Sequence, residues 1–345
     1  MSDETEETPK PAGTGEKPSR KKPEVIDSGG EIRQTSYSGA MLGLAVGDAL
    51  GTTLEFAAPG SFEPLTDMVG GGPFDLPAGA WTDDTSMALC LADSLIERRA
   101  FDPIDQLERY VRWWRDGHNS SIGRCFDIGG STFRALDRFE QTGEPFPGDA
   151  DPRGAGNAPI MRLAPIPLLW AFWPHRASQN AVFSARTTHG DPRAADAASL
   201  LCLMMIAAVF SRDKDEVLMI GETLAAREGD GALHPEVAAV AAGSFREKDP
   251  PEIVGSGFIV ESLEAALWAL DRTSTWEEGA LAAVNLGNDA DTTGAIYGQL
   301  AGAIYGVEAI PRRWLDKLVM RDEIEARAAA LFFLSRDMME EMTAE

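Results

Sequence analysis

Apolar residues recur at intervals of three and four along most of the chain, and this spacing is typical of amphipathic helices. Ile104, Leu107, Val111 and Trp114 would share one helix face, and the stretch 321–342 repeats the pattern. The period-two alternation of half-buried strands is almost absent. About a dozen such segments are joined by loops rich in proline and glycine, which predicts an all-α architecture. We find no linker between two cores, so we expect one compact single-domain helical bundle.

Two segments carry glycine at every fourth position. The first stripe is Gly39, Gly43, Gly47 and Gly51, and the second is Gly294, Gly298, Gly302 and Gly306. Glycine inside a helix costs about 1 kcal/mol relative to alanine, so both stripes need a compensating reason. A spacing of four aligns each stripe on one helix face, where another backbone can approach closely. The stripes predict two central, tightly packed helices, each a candidate partner for the other.

The N-terminal segment differs in composition from the rest of the chain. Residues 1–33 offer little to bury and are rich in Glu, Lys, Pro, Gly and Ser, so we expect a disordered N-terminal extension before a domain spanning 34–345. The apolar run 197–210 is shorter than the roughly 20 residues that cross a bilayer, so no membrane span is expected. The charged start lacks the apolar stretch of a secretory signal, which predicts a cytoplasmic protein.

Charge and cysteine content exclude some classes of function. The chain has 55 acidic and 31 basic residues, for a formal net charge of −24. It has no run of basic residues dense enough to bind the phosphate backbone of a nucleic acid. Nucleic acid is therefore not an expected ligand. The three cysteines form no CxxC pair. This spacing argues against both a disulfide framework and a zinc knuckle.

Acidic residues stand beside the ends of three helices made of small residues. They are Asp48 and Glu55 after the first glycine helix, Asp83 and Asp84 before a helix at about 86–98, and Asp289 and Asp291 before the second glycine helix. Each acid alone would fit an ordinary helix cap, and Asp48 alone would fit a helix-end acid without a role. Recurrent acid pairs with flanking threonines favour a shared site instead.

Carboxylates brought to one place repel each other, and their pKa values rise unless cations neutralise them. Oxygen donors from Asp, Glu and Thr, with no His or Cys nearby in the sequence, select hard ions such as Mg²⁺ or Mn²⁺ over zinc. Four aspartates and two divalent cations sum to zero charge. An anionic substrate could then approach this strongly acidic protein.

Five blocks, in order along the chain, resemble the ADP-ribosylglycohydrolase family, and particularly its arginine-specific branch. The blocks are GAMLGLAVGDALGTTLEF, GAWTDDTSMAL, RCFDIGGSTFRAL, GNAPIMRLAPI with TTHGDPRA, and GNDADTTGAIYGQLAGAIYG. This resemblance implies a compact all-α fold with a two-metal site. It also implies a hydrolase that removes ADP-ribose from modified arginine by cleaving the N-glycosidic bond, with an ADP-ribosylated protein as substrate.

The resemblance also implies site residues. Its metal ligands fall on Thr82, Asp83, Asp84, Asp289, Asp291 and Thr292. Its catalytic acids fall on Glu55, beside the metal pair, and on Asp127, which contacts the modified arginine. Substrate-binding positions fall on Gly129, Gly130 and Ser131, at a helix start suited to a diphosphate, and on Asn157, Arg162 and His189 of the ADP-ribose cleft. Ala158 departs from the family, which often has glycine there.

Other functions stay open at this point. The enzyme could act on a different linkage, such as ADP-ribosyl-serine or O-acetyl-ADP-ribose. The chain could instead be a catalytically idle ADP-ribose-binding module. It could also be an immunity protein that neutralises an ADP-ribosyltransferase toxin by occlusion, by hydrolysis or by both, with residues 1–33 as the occluding arm.

Overall fold

The computed structural model describes residues 32–343, and within them it contains fifteen α-helices and no β-strand. The helices are α1 Gln34–Gly51, α2 Asp83–Arg98, α3 Pro103–Asp116, α4 Gly130–Thr142, α5 Ala158–Met161, α6 Pro165–Leu169, α7 Pro174–Arg186, α8 Pro192–Ser211, α9 Lys214–Ala225, α10 Pro235–Ala241, α11 Ile259–Arg272, α12 Trp276–Val284, α13 Ala290–Tyr305, α14 Arg312–Leu315 and α15 Arg321–Thr343. The all-α prediction is confirmed. The predicted extension, residues 1–33, lies outside the described residues except for its last two, and the domain division stays a prediction.

Helices α1 and α13 form the centre of the fold and run antiparallel. A Cβ added at Gly43 would lie 2.2 Å from the carbonyl oxygen of Gly298, and one added at Gly298 would lie 2.0 Å from that of Gly43. Gly39 faces Gly302 in the same reciprocal way. We call this line of backbone contacts the glycine seam. It confirms that the two helices pack against each other, because any larger side chain would hold them apart.

The two ends of the seam depart from the simple pattern of paired stripes. Gly51 lies against the backbone of Ala290 and Asp291, so the α1 stripe extends one position beyond the pair of Gly47 and Gly294. Gly306 ends α13 with a φ of 81°, a left-handed conformation that favours glycine. The seam therefore fixes the end of α1 beside the start of α13.

The buried face of α3 is rotated from the predicted one. Leu107 is fully buried as expected, but Val111 and Trp114 are only half-buried, whereas Tyr110 and Trp113 are buried. The buried face also includes Gln106, whose amide donates to the hydroxyls of Tyr110 and Ser184, both at 2.8 Å. A pattern of apolar residues cannot indicate that a polar side chain is buried through hydrogen bonds, and for this reason the buried face of α3 was predicted wrongly.

Helix α8 extends the predicted apolar run to 20 residues with a mean hydropathy of 1.9, so by length and composition it could cross a membrane. Within the fold, however, 67% of its apolar window is buried. A core helix passes the same test as a membrane span, so α8 is weak evidence for one.

Candidate metal centre and active-site cleft

Three helix ends meet at one place because the glycine seam brings the last turn of α1 beside the first turn of α13. The Thr82 hydroxyl at the start of α2 joins them: its Oγ1 lies 2.9 Å from Oδ1 of Asp48 and 3.2 Å from Oδ2 of Asp291. Thr292 Oγ1 of α13 lies 3.3 Å from Oδ2 of Asp84 on α2. The acids of all three segments therefore form one centre.

The threonines and acids at these helix starts are not ordinary caps. Thr82 precedes α2 but makes no side-chain cap. Asp48 replaces it from α1: one carboxylate oxygen accepts from the Thr82 backbone N–H at 2.9 Å, and the other from that of Thr85 at 3.0 Å. Asp289 precedes α13 without capping it, and its Oδ2 accepts from Asn157 Nδ2 at 2.6 Å. The capping interpretation thus fails for both sites, and these side chains point into the centre.

Seven carboxyls lie in or around this centre: Asp48, Glu55, Asp83, Asp84, Asp127, Asp289 and Asp291. One oxygen each from Asp48, Asp84 and Asp291 lie within 4.8 Å of one another, and so do oxygens of Glu55, Asp127 and Asp291. No salt bridge in residues 32–343 includes any of the seven. The centre therefore holds concentrated negative charge without a paired side-chain cation.

The electrostatics of the centre call for bound cations. Burial first, and then the neighbouring acids, raise the pKa of Asp83, Asp84 and Asp291 well above the usual range. The same two causes raise the pKa of Glu55 to about 11. Oδ1 of Asp84 and Oε2 of Glu55 are buried and have no hydrogen-bond partner within residues 32–343. Unpaired oxygen donors and mutual repulsion fit hard divalent cations, because such ions would satisfy both.

A cleft of about 800 Å³ opens above the centre. Its floor includes Glu55, Asp83, Asp289 and Asp291, and its wall includes the half-buried Asp127. Gly129, Gly130 and Ser131 line the cleft at the start of α4, where no side chain caps the helix. Backbone N–H groups there can receive an anion. Asn157, His189 and Thr292 complete the predicted residues that line the cleft.

Thr82 and Asp84 lie beneath the floor of this cleft, fully buried, with their oxygens in the centre. Arg162 requires a correction, because it does not line the cleft. Its side chain is fully buried behind the wall, where Nη2 donates to Thr188 Oγ1 at 2.7 Å. Its position in a block that resembles the family predicted proximity to the cleft, but the sequence could not show in which direction this long side chain points.

Sequence reasoning counted Asp48 among the acids of a shared site but named it neither as a ligand nor as a catalytic residue, whereas the structure places it in the middle of the centre. Its two oxygens accept four hydrogen bonds in all, from the backbone and hydroxyl groups of Thr82 and Thr85. Its sequence signals were its place beside the glycine stripe and the recurrence of acids at the ends of two other helices. The first signal becomes informative once the stripe is known to face α13.

Two residues in strained backbone conformations were also missed. Phe56 and Asn288 have φ values of 59° and 55°, a left-handed region that is uncommon for residues other than glycine. The Phe56 N–H donates to the Asn288 carbonyl at 2.5 Å, and the Asn288 N–H donates to the Ala57 carbonyl at 2.8 Å. This pairing ties the loop that carries Glu55 to the loop that carries Asp289, so it fixes their relative positions.

Comparison with known proteins gives consistent results. A family model described as ADP-ribosylglycohydrolase matches residues 30–341. An ADP-ribosylarginine hydrolase, Tri1 of Pseudomonas putida (strain GB-1), is 43% identical over 85% of this chain and 77% of its own length. The ADP-ribosyl-[dinitrogen reductase] glycohydrolase of Rhodospirillum rubrum is 34% identical over 84% of this chain and 92% of its own. A solved structure titled ADP-ribosylglycohydrolase-related protein complex matches with a TM-score of 0.78 and 46% identity, covering 88% of this chain and 99% of that one.

Proposed function

Because the chain belongs to the ADP-ribosylglycohydrolase family, we propose that it hydrolyses the N-glycosidic bond between ADP-ribose and the side chain of a modified arginine in a protein. The observation that carries the proposal is the acidic centre under the cleft. Acids from the ends of α1, α2 and α13 converge there, and in the described part of the chain none of them pairs with a side-chain cation, while Asp127 and the open start of α4 stand above them.

Thr82, Asp83, Asp84, Asp289, Asp291 and Thr292 are the proposed ligands of two divalent cations, Mg²⁺ or Mn²⁺. When bound, such ions orient the ribose hydroxyls and lower the pKa of a water. Burial first, and then the neighbouring acids, raise the pKa of Glu55, and bound cations would offset the second cause; Glu55 is then the carboxyl placed to accept a proton.

The reaction breaks the bond between ribose C1″ and the guanidinium nitrogen. The bonding electron pair stays on nitrogen, and the cationic guanidinium leaves as a neutral guanidine. Water adds to C1″ and releases one proton. Asp127 would hold the guanidinium by charge, and Glu55 would take the proton from the water. Free N–H groups of Gly129, Gly130 and Ser131 would hold the diphosphate.

The substrate's location and origin remain proposals. We propose that the enzyme acts in the cytoplasm, on a protein modified by an ADP-ribosyltransferase. A transferase toxin as the source of the modification stays a prediction.

A linkage-resolved hydrolysis assay tests the function. Peptides carrying ADP-ribosyl-arginine or ADP-ribosyl-serine, and O-acetyl-ADP-ribose, are incubated with Mg²⁺, Mn²⁺ or EDTA, and released ADP-ribose is measured. We expect release from arginine only, with EDTA abolishing it. Asp83→Asn with Asp289→Asn should lose activity, whereas Asp337→Asn, which removes an exposed carboxylate on α15, should retain it. Full activity in EDTA, or preference for another linkage, would refute the proposal.

A further inference from the structure

The guanidinium of Arg162 is a buried cation with an unusual set of partners. It has no salt bridge in residues 32–343, and its Cζ lies 4.9 Å from the centroid of the Tyr110 ring. Its Nη2 donates to Thr188 Oγ1 at 2.7 Å and to the Ser184 carbonyl at 3.3 Å. A guanidinium carries hydrogen-bond donors and no acceptor. The Thr188 oxygen can therefore only accept in its contact with Arg162.

The direction of that hydrogen bond fixes the next one. Thr188 is fully buried, and its Oγ1 lies 2.8 Å from Nδ1 of His189. Since the hydroxyl accepts from Arg162, its own proton needs a separate acceptor, and a buried unpaired hydroxyl is costly. Within the described residues, His189 Nδ1 is the acceptor that the geometry offers. A neutral imidazole that accepts at Nδ1 carries its proton on Nε2.

The Nε2 end of His189 faces the cleft. His189 lines the cleft, and a Cβ added at Gly156, another lining residue, would lie 2.9 Å from Nε2. No residue in 32–343 hydrogen-bonds to Nε2, although the side chain as a whole is 98% buried. Burial first, and then the charges of Arg162 and Arg134, lower the pKa of His189 to about 3 against the opposing effect of Asp191. The ring is therefore neutral at physiological pH.

We propose that Arg162 is a positioning residue: through Thr188 it fixes His189 as the Nε2–H tautomer and thereby presents a hydrogen-bond donor to an acceptor oxygen of ADP-ribose. The identity of the ligand rests on the proposed function, whereas the tautomer does not. Arg162 has no acidic partner among the residues that the structure describes, which fits this role, because a carboxylate would compete for the guanidinium hydrogens.

Nuclear magnetic resonance of ¹⁵N-histidine-labelled protein tests the tautomer without any substrate. The His189 signals are assigned by their loss in His189→Gln. We expect a protonated Nε2 and an unprotonated Nδ1 in the unaltered protein. Thr188→Ser keeps the hydroxyl and should keep this pattern, whereas the isosteric Thr188→Val should admit the Nδ1–H form. A protonated Nδ1 in the unaltered protein would overturn the inference, even if the valine variant did not fold.

Calorimetric binding of free ADP-ribose in the presence of Mg²⁺ tests the consequence. Thr188→Val should weaken binding by about 10-fold, the value of one hydrogen bond, and should raise KM more than it lowers kcat. Thr188→Ser should bind almost as well as the unaltered protein.

Thr187→Val is the matched control. Thr187 Oγ1 also accepts from Arg162, at 3.5 Å, but within residues 32–343 the hydroxyl that hydrogen-bonds to the His189 ring is that of Thr188. We expect this variant to keep both the tautomer and the affinity. Equal loss of affinity in the two valine variants, or no binding of ADP-ribose to the unaltered protein, would overturn the inference. If the tautomer and the binding results hold but arginine-linked ADP-ribose is not released, the proposed function fails and this inference stands.

Discussion

Gly294→Ala should separate the two central helices and disable the acidic centre. The new methyl group would lie 2.4 Å from the carbonyl oxygen of Gly47 and 2.9 Å from the Gly47 carbonyl carbon. Restoring ordinary contact distances requires about 1 Å of separation between α1 and α13. Overpacking costs about 1–3 kcal/mol, and alanine returns about 1 kcal/mol of helix propensity. A contact of 2.4 Å lies at the upper end of that overpacking range, about 2–3 kcal/mol, so the net destabilisation is about 1–2 kcal/mol, or a fall in Tm of roughly 1–3 °C in a chain of this size.

The effect on activity should exceed the effect on stability. Asp291 lies one helical turn before Gly294, so the separation moves its carboxylate away from Asp48 and Asp84. A displacement of about 1 Å in a reacting site can cost about 100-fold in rate. Gly302→Ala is the matched control, because its methyl group would lie 1.9 Å from the Gly39 carbonyl oxygen, three turns away from the centre.

Thermal unfolding followed by circular dichroism and release of ADP-ribose under saturating Mg²⁺ measure the two effects. We expect similar losses of stability in the two variants and a much larger loss of activity in Gly294→Ala. A Gly294→Ala protein as stable as the unaltered one would refute the close backbone approach. Equal losses of activity would refute the link between the glycine seam and the acidic centre.

Three further predictions concern the carboxyls of the centre. Asp48→Asn replaces one carboxylate oxygen by an NH₂ group, which would face the N–H and O–H donors of Thr82 or Thr85. We expect the free energy of unfolding, measured by urea titration, to fall by about 2 kcal/mol. An unchanged urea midpoint would contradict the four hydrogen bonds. Glu55→Gln removes a buried carboxyl from a cluster of carboxyls and should therefore raise Tm in EDTA. The same change should lower kcat by about 100-fold, because it removes the proposed proton acceptor. A lower Tm in EDTA would contradict the repulsion between Glu55 and the neighbouring acids. Mg²⁺ at 100 times its Kd should stabilise the unaltered protein by about 2.7 kcal/mol, and an equal gain in Asp83→Asn with Asp289→Asn would exclude these ligands.

The all-α fold and the packing of α1 on α13 could be predicted because both follow from local spacing. A period of three to four marks a helix, and glycine at every fourth position marks a face that another backbone can approach. The acid pairs could be located for the same reason, since each lies next to a helix of small residues.

The sequence could not predict what depends on distant contacts. Asp48 caps a helix that begins more than thirty residues later, so its role follows from tertiary packing that no local pattern encodes. Arg162 belongs to a segment that reaches the cleft, but the direction of its side chain depends on Tyr110 and Thr188. The buried face of α3 was misjudged because Gln106 is buried through hydrogen bonds.

The glycine seam also has a consequence for synthesis on the ribosome. Asp48, Asp83 and Asp84 emerge early, but their partners Asp289 and Asp291 are made only after some two hundred more residues have been added. Until α13 emerges, the glycine face of α1 has no helix packed against it. The acids made early then lack Asp289 and Asp291, which complete the centre. A nascent chain arrested before residue 290 should therefore neither capture divalent cations tightly nor resist proteases as the finished protein does.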